Sequence, residues 1–224
     1  MSSEDTPQKS PFDHPDVAKL FDELFPVLVD ESDRGAVLIA AAQVDNELRI
    51  LFEQVAPSDF GKKKLADVME YPGVLSSLAG KADTARITHL ISKRVYDAIF
   101  HLRKLRNDLA HTRESFSLKE HEERIRKVYE LGPDLPKGIN RLACEMMVNW
   151  LMHTALQMKN PLVENMPAFA NPREVLDYLA AKPLLMAPLE KKRPRWELAL
   201  GVTLLCASII FDRDAAKERL SKEP

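Results

Sequence analysis

Glycine is scarce in this chain, at 7 of 224 residues. That is about 3%, where globular proteins average roughly 7%. Barrels, sandwiches and doubly wound α/β folds need glycine for tight turns and phosphate loops, so the shortage argues against all three. Cysteine is scarcer still. Cys144 and Cys206 make neither a disulfide framework nor a metal cluster. Long apolar runs are missing too. Leu198 to Phe211 is the longest, at fourteen residues, short of the roughly 20 that span a bilayer. It reads as a buried core helix, and no membrane association is expected. The polar, proline-spaced start, Met1 to Pro15, lacks the apolar stretch of a secretory signal. Neither sign of charge dominates: 32 Lys and Arg face 34 Asp and Glu, for a net charge of −2. Any nucleic-acid contact would therefore come from a local patch. The expected setting is a reducing cytoplasm.

What the chain does contain is helical periodicity punctuated by 15 prolines. Val17, Leu20, Phe21, Leu24 and Leu28 predict a helix over 16–29. Ser32 and Asp33 precede a longer one over 34–55, with Val37, Leu38, Ala41, Val44, Leu48, Leu51 and Phe52 on its apolar side. Lys62 to Lys64 reads as a solvated loop before short helical pieces over 65–70 and up to residue 79. A cap at Asp83 or Thr84 starts a helix over 85–111, with Ile87, Leu90, Ile91, Val95, Ile99, Leu102 and Leu105 in its stripe. Ser117 to Glu120 has the form of a capping box, for a helix that Gly132 and Pro133 stop after Leu131. A helix over 137–159 is apolar on nearly every face between Leu142 and Met152, as a helix buried on two sides or in a dimer would be. Asn171 caps a short helix, Pro183, Pro188 and Pro194 flank a linker, and the last helix covers 196–220. The pattern predicts an all-α helical bundle of seven or eight helices. A loose arm occupies 1–15, the bundle 16–160 and a C-terminal helical extension 161–224.

Familiar site signatures are missing. There is no GxGxxG. Gly73 to Lys81 imitates a phosphate loop, but its spacing is too long and no Ser or Thr follows the lysine. No two histidines stand at i, i+3 or i, i+4, and no serine sits in a nucleophile elbow. No metal or cofactor is expected.

One segment carries chemistry: His101-Leu-Arg103-Lys104-Leu-Arg106-Asn107-Asp-Leu-Ala-His111-Thr-Arg113. On a helix Arg103, Asn107 and His111 form one stripe. Arg106 lies about 140° round and about 7.5 Å along from His111. A guanidinium grips phosphate in a two-pronged manner, and an imidazole takes or gives a proton near pH 7. Asn107 can orient either. Arg106, Asn107 and His111 are the candidate catalytic residues, with Arg103 and Lys104 as candidate nucleic-acid contacts. Asp45 on the preceding long helix is a candidate assisting carboxylate and Glu47 its alternative. The structural alternative for Asp45 is a buried pair with an arginine of the next helix. Lys191 to Arg195 is the densest basic run, either a phosphate contact or a solvated linker.

Arg106-Asn107-Asp108-Leu109-Ala110-His111 resembles the Arg-x4-His signature of the HEPN superfamily in its Arg-Asn-x-x-Ala-His form. More widely, residues 16–131 resemble the mannitol-repressor-like (MtlR) family. The resemblance runs through the helix over Val37 to Phe52, the segment Pro72 to Leu78, the long helix ending in Lys104 to His111, and the pair Ser115-Phe116. A homodimer is expected, and the second resemblance implies a helical regulator of transcription that acts through protein partners, without direct sequence-specific DNA reading. The first implies a metal-independent endoribonuclease, in which His111 shuttles a proton from the ribose 2′-hydroxyl. Arg106 would stabilise the charged phosphorane and Asn107 would orient both.

Overall fold

A computed structural model describes residues 13–111, 116–160, 163, 166–182 and 186–222. The arm as far as residue 12, Ser115, Pro161 and Pro183 lie outside them. Among the described residues the chain forms nine α-helices, a short 3-10 turn and no strand. None of these helices is long and apolar enough to cross a membrane.

The first two helices begin where side-chain oxygens or nitrogens can take up free amides. In α1 (Pro15–Asp30) the His14 ring accepts from the Asp16 amide at 3.2 Å. In α2 (Asp33–Val55) Ser32 Oγ accepts from the Gly35 amide at 3.0 Å. The lysine run expected as a loop instead opens α3 (Lys62–Met69), where Lys62 to Lys64 are exposed.

The helix expected over 85–111 is two helices. α4 (Leu78–Ile87) starts at Ser77, whose Oγ accepts from the Gly80 amide at 3.0 Å, and not at Asp83 or Thr84. It ends in a Schellman motif. The His89 amide donates to the Arg86 carbonyl at 3.2 Å and the Leu90 amide to the Ala85 carbonyl at 2.8 Å. His89 takes the left-handed conformation, φ 57°, that glycine usually supplies. Ile87, expected in the buried stripe, is 77% exposed at this break, and Leu38 is also exposed. α5 (Lys93–His111) then buries Val95, Ala98, Ile99, Leu102, Leu105 and Leu109.

The capping box does not form, and Ser117 makes no side-chain cap. The Glu120 amide, which the hydroxyl would have taken, donates to the Ser117 carbonyl at 3.2 Å, and the Leu118 amide donates to Asp33 Oδ2 of α2 at 2.8 Å. The 3-10 turn Leu118–His121 leads into α6 (Glu122–Val128), which ends before Leu131. α7 (Leu135–Gln157) and α8 (Pro172–Ala181) follow, the latter capped by Asn171 accepting from the Glu174 amide at 3.1 Å.

The last helix is longer than its periodicity predicts. α9 (Ala187–Leu220) takes in Pro188 at its first turn and Pro194 in its interior. The expected solvated linker is thus helix. Arg193 pairs with Glu122 and Glu197 at 3.0 Å each, and Arg195 with Asp33 at 2.6 Å. From Leu198 to Ile210 every direction of α9 is buried, apart from partly exposed Leu204 and Ser208. α9 packs against α1, α2, α6 and α7. Trp196 to Ile210 of the C-terminal extension share one core with α1, α2 and α5. Each fully buried Leu or Ile there contributes roughly 1.5–3 kcal/mol. α7 behaves otherwise. Ala143 and Met147 are buried, while Leu142, Val148 and Trp150 are exposed.

Gly201 sits where α9 passes the Tyr129 ring, and an added Cβ would lie 2.7 Å from the ring carbon Cδ1. Tyr129 cannot swing aside freely, because its hydroxyl donates to Glu197 at 2.9 Å. Gly201→Ala is expected to destabilise the fold by about 1–3 kcal/mol through overpacking. Equilibrium urea denaturation measures it.

Candidate functional site

α5 is held by one face, so the opposite face is free to carry polar side chains. Arg106, Asn107 and His111 are exposed there and at its edge, and Arg103 is partly buried. No hydrogen bond or ion pair among the described residues engages the side chains of Arg106, Asn107 or His111. Counting round the helix, Arg103, Asn107 and His111 lie away from Leu102, Leu105 and Leu109, and Arg106 flanks the buried stripe. Lys104 is exposed beside them, its Nζ 4.7 Å from the centre of the Phe100 ring. The outward face of α5 therefore presents Phe100, Arg103, Lys104, Asn107 and His111 together.

The two candidate carboxylates are elsewhere. Asp45 receives two hydrogen bonds from Lys81 Nζ, at 2.8 and 2.9 Å, from α4. The expected pair exists, but with a lysine in place of an arginine. The Lys81 side chain is 3% exposed and that of Asp45 35%. Glu47 is buried and accepts from Gln43 Nε2 at 2.8 Å. Burial pushes its carboxyl above the usual carboxylate range, while the Gln43 hydrogen bond and the Arg213 charge act the other way. Glu47 in turn adds to the burial that raises the Cys206 thiol, which stays protonated. No hydrogen bond or ion pair joins Asp45 or Glu47 to Arg106, Asn107 or His111 among the described residues.

Several polar residues were missed by sequence reasoning. Asp108, an unassigned position of the Arg-Asn-x-x-Ala-His string, forms an ion pair with Arg124 and faces His121 Nδ1 at 4.0 Å. Phe116 stacks on that histidine ring at 4.9 Å. Asp108 therefore ties the end of α5 to α6. Beside it a cavity of about 320 Å³ is lined by His101, Glu120, His121, Glu123, Arg124 and Lys127. Burial holds His101 below the ordinary histidine range, and Lys104, Lys127 and Arg124 push it the same way. The buried Glu197 accepts from Tyr129, from Asn140 at 2.7 Å and from Arg193. Burial, with Glu197 next in weight, raises the Tyr129 hydroxyl far above its usual value. These partners come from different helices, and only Arg193 and Glu197 stand at a readable i, i+4 spacing. No group of three or more His, Cys, Asp or Glu side chains converges on a metal position among the described residues.

Comparison with protein-family models, with curated proteins and with solved structures finds no match for this chain.

Two outcomes follow from the carboxylates. Asp45→Ala leaves the Lys81 ammonium buried without its partner. A loss of about 2 kcal/mol in denaturation is expected, less than for a fully enclosed pair because Asp45 reaches solvent. Unchanged stability would contradict a structural role. Glu47 has a raised folded-state pKa, so the stability it contributes is present at low pH. That contribution is lost as pH rises past the ordinary carboxylate value towards the folded one. Glu47→Gln is therefore expected to melt higher than wild type at neutral pH. The gap should close as pH falls towards the ordinary carboxylate value, as thermal melts across pH will show.

Proposed function

We propose that this chain is a mannitol-repressor-like regulatory helical protein that acts on transcription through protein partners. The supporting observation is the outward face of α5. It presents an aromatic ring, two cations, an amide and an imidazole, with no carboxylate from α2 beside them. Such a face is equipped to recognise, since aromatic rings and arginine are enriched where proteins meet. It lacks the assisting acid, because Asp45 is engaged by Lys81 and Glu47 is buried beneath the surface. A homodimer belongs to the same reading. Leu142 and Val148 leave apolar surface on α7 that one chain does not cover. The net charge of −2 gives no general attraction to a DNA backbone.

A second reading is favoured by one specific feature. Arg106 and His111 are both exposed and unengaged among the described residues. A metal-independent endoribonuclease assembled from two copies needs both in that condition.

Incubation of wild type and His111→Ala with mixed RNA in EDTA separates the two. The regulator reading expects both proteins to leave the RNA intact. Cleavage by wild type that disappears in His111→Ala overturns it in favour of the nuclease.

A further inference from the structure

A separate concavity lies away from α5. The second half of α7, the two ends of the connection to α8 at 158–160 and 168–169, α8 and the first turns of α9 line a cavity of about 740 Å³. Small-molecule sites run from about 300 to 1,000 Å³ and are walled mostly by apolar and aromatic side chains. This one fits. Trp150 and Leu151 come from α7, Phe169 from the connection, Tyr178 from α8 and Leu189 from α9. The aromatic walls are braced from behind. Trp150 meets Trp196 edge-on at 6.4 Å, and Phe169 meets Tyr178 at 5.4 Å. The connection is itself held in place. The Asn160 amide donates to the Met166 carbonyl at 2.8 Å and the Ala168 amide to the Met158 carbonyl at 2.7 Å. Walls from four segments make a cup, whereas a docking helix lies in a groove along its length.

Charge decides the class of occupant. Among the described residues Lys159 and Lys192 line the cup, and no Asp or Glu does. Neither lysine is in an ion pair among the described residues. Lys192 Nζ stands 5.6 Å from the centre of the Trp150 ring, at the edge of the apolar wall. An apolar body with an anionic head satisfies both features at once: the rings take the body, and the ammonium groups take the charge.

We propose that this cup binds a small apolar carboxylic acid, its body against Trp150, Phe169 and Tyr178 and its carboxylate held by Lys159 and Lys192. The site is independent of the α5 face and of the function proposed for it.

Titration of the full chain with decanoate, with naphthoate and with the uncharged decanol tests this. Calorimetry and tryptophan fluorescence give the readout. Saturable binding of at least one acid is expected, and the stronger of the two identifies the body as aliphatic or aromatic. The double variant Lys159→Gln/Lys192→Gln, at exposed positions, is expected to weaken that acid about tenfold, worth about 1.4 kcal/mol. It should leave decanol unchanged. Ala155→Phe, which fills the cup, is expected to abolish acid binding. Failure of both acids to saturate overturns the proposal. So does decanol binding equal to decanoate, or acid binding that the lysine replacements leave unchanged.

Discussion

A helix that is apolar on all sides over its middle turns cannot stop at one neighbour. α9 meets this demand by running through the core, with α1, α2, α6 and α7 around it. Its flanking charges are then carried into partly buried positions, where each needs a partner. Arg193 finds Glu122 and Glu197, Arg195 finds Asp33, and Arg213 finds Asp16 and Asp214. These pairs fall at both ends of the apolar stretch and tie α1, α2 and α6 to α9. Asp33 does double duty. One oxygen holds Arg195 and the other takes the Leu118 amide, so the start of α2, the first third of α9 and the entry to α6 share one carboxylate.

The functional surfaces follow from where this enclosure ends. α5 lies against the bundle by a single stripe, which leaves its other face to Phe100, Arg103, Lys104, Asn107 and His111. Asp108 turns towards α6 and Arg124, so the polar string divides into one anchoring residue and several presenting ones. α7 packs against α9 and α8 and buries little beyond Pro136, Ile139, Ala143, Met147 and Ala155. Its second half is covered only in part by α8 and the start of α9, and the aromatic cup forms in that gap. The polar face of α5 and the concavity at α7 thus arise from the same cause: the core is complete before either helix has buried all its surface.

Much of the fold was readable along the chain. The caps at Ser32 and Asn171, the stripe Val95 to Leu105 and the buried run from Leu198 follow from spacing and local chemistry. The misreadings share a reason. Helix stops were sought at glycine and proline, yet the stop between α4 and α5 uses His89 in the left-handed conformation, and α9 continues through Pro194. At Ser117 the Glu120 amide turns to the serine carbonyl in a 3-10 turn, and the Leu118 amide meets Asp33, 85 residues away in sequence. At the candidate site, the exposure of Arg106, Asn107 and His111 could be read from the periodicity of α5. The absence of Asp45 and Glu47 from their side could not.

Sequence alone was sufficient for the helical class and for the placing of Arg106 to His111 on a helix face. Both depend on periodicity within a few turns. The fates of the carboxylates, of the basic run at Lys191 to Arg195 and of the apolar face of α7 were settled by assembly. An ion pair or a cavity wall exists only once distant helices meet, and which helices meet was set by the burial of α9.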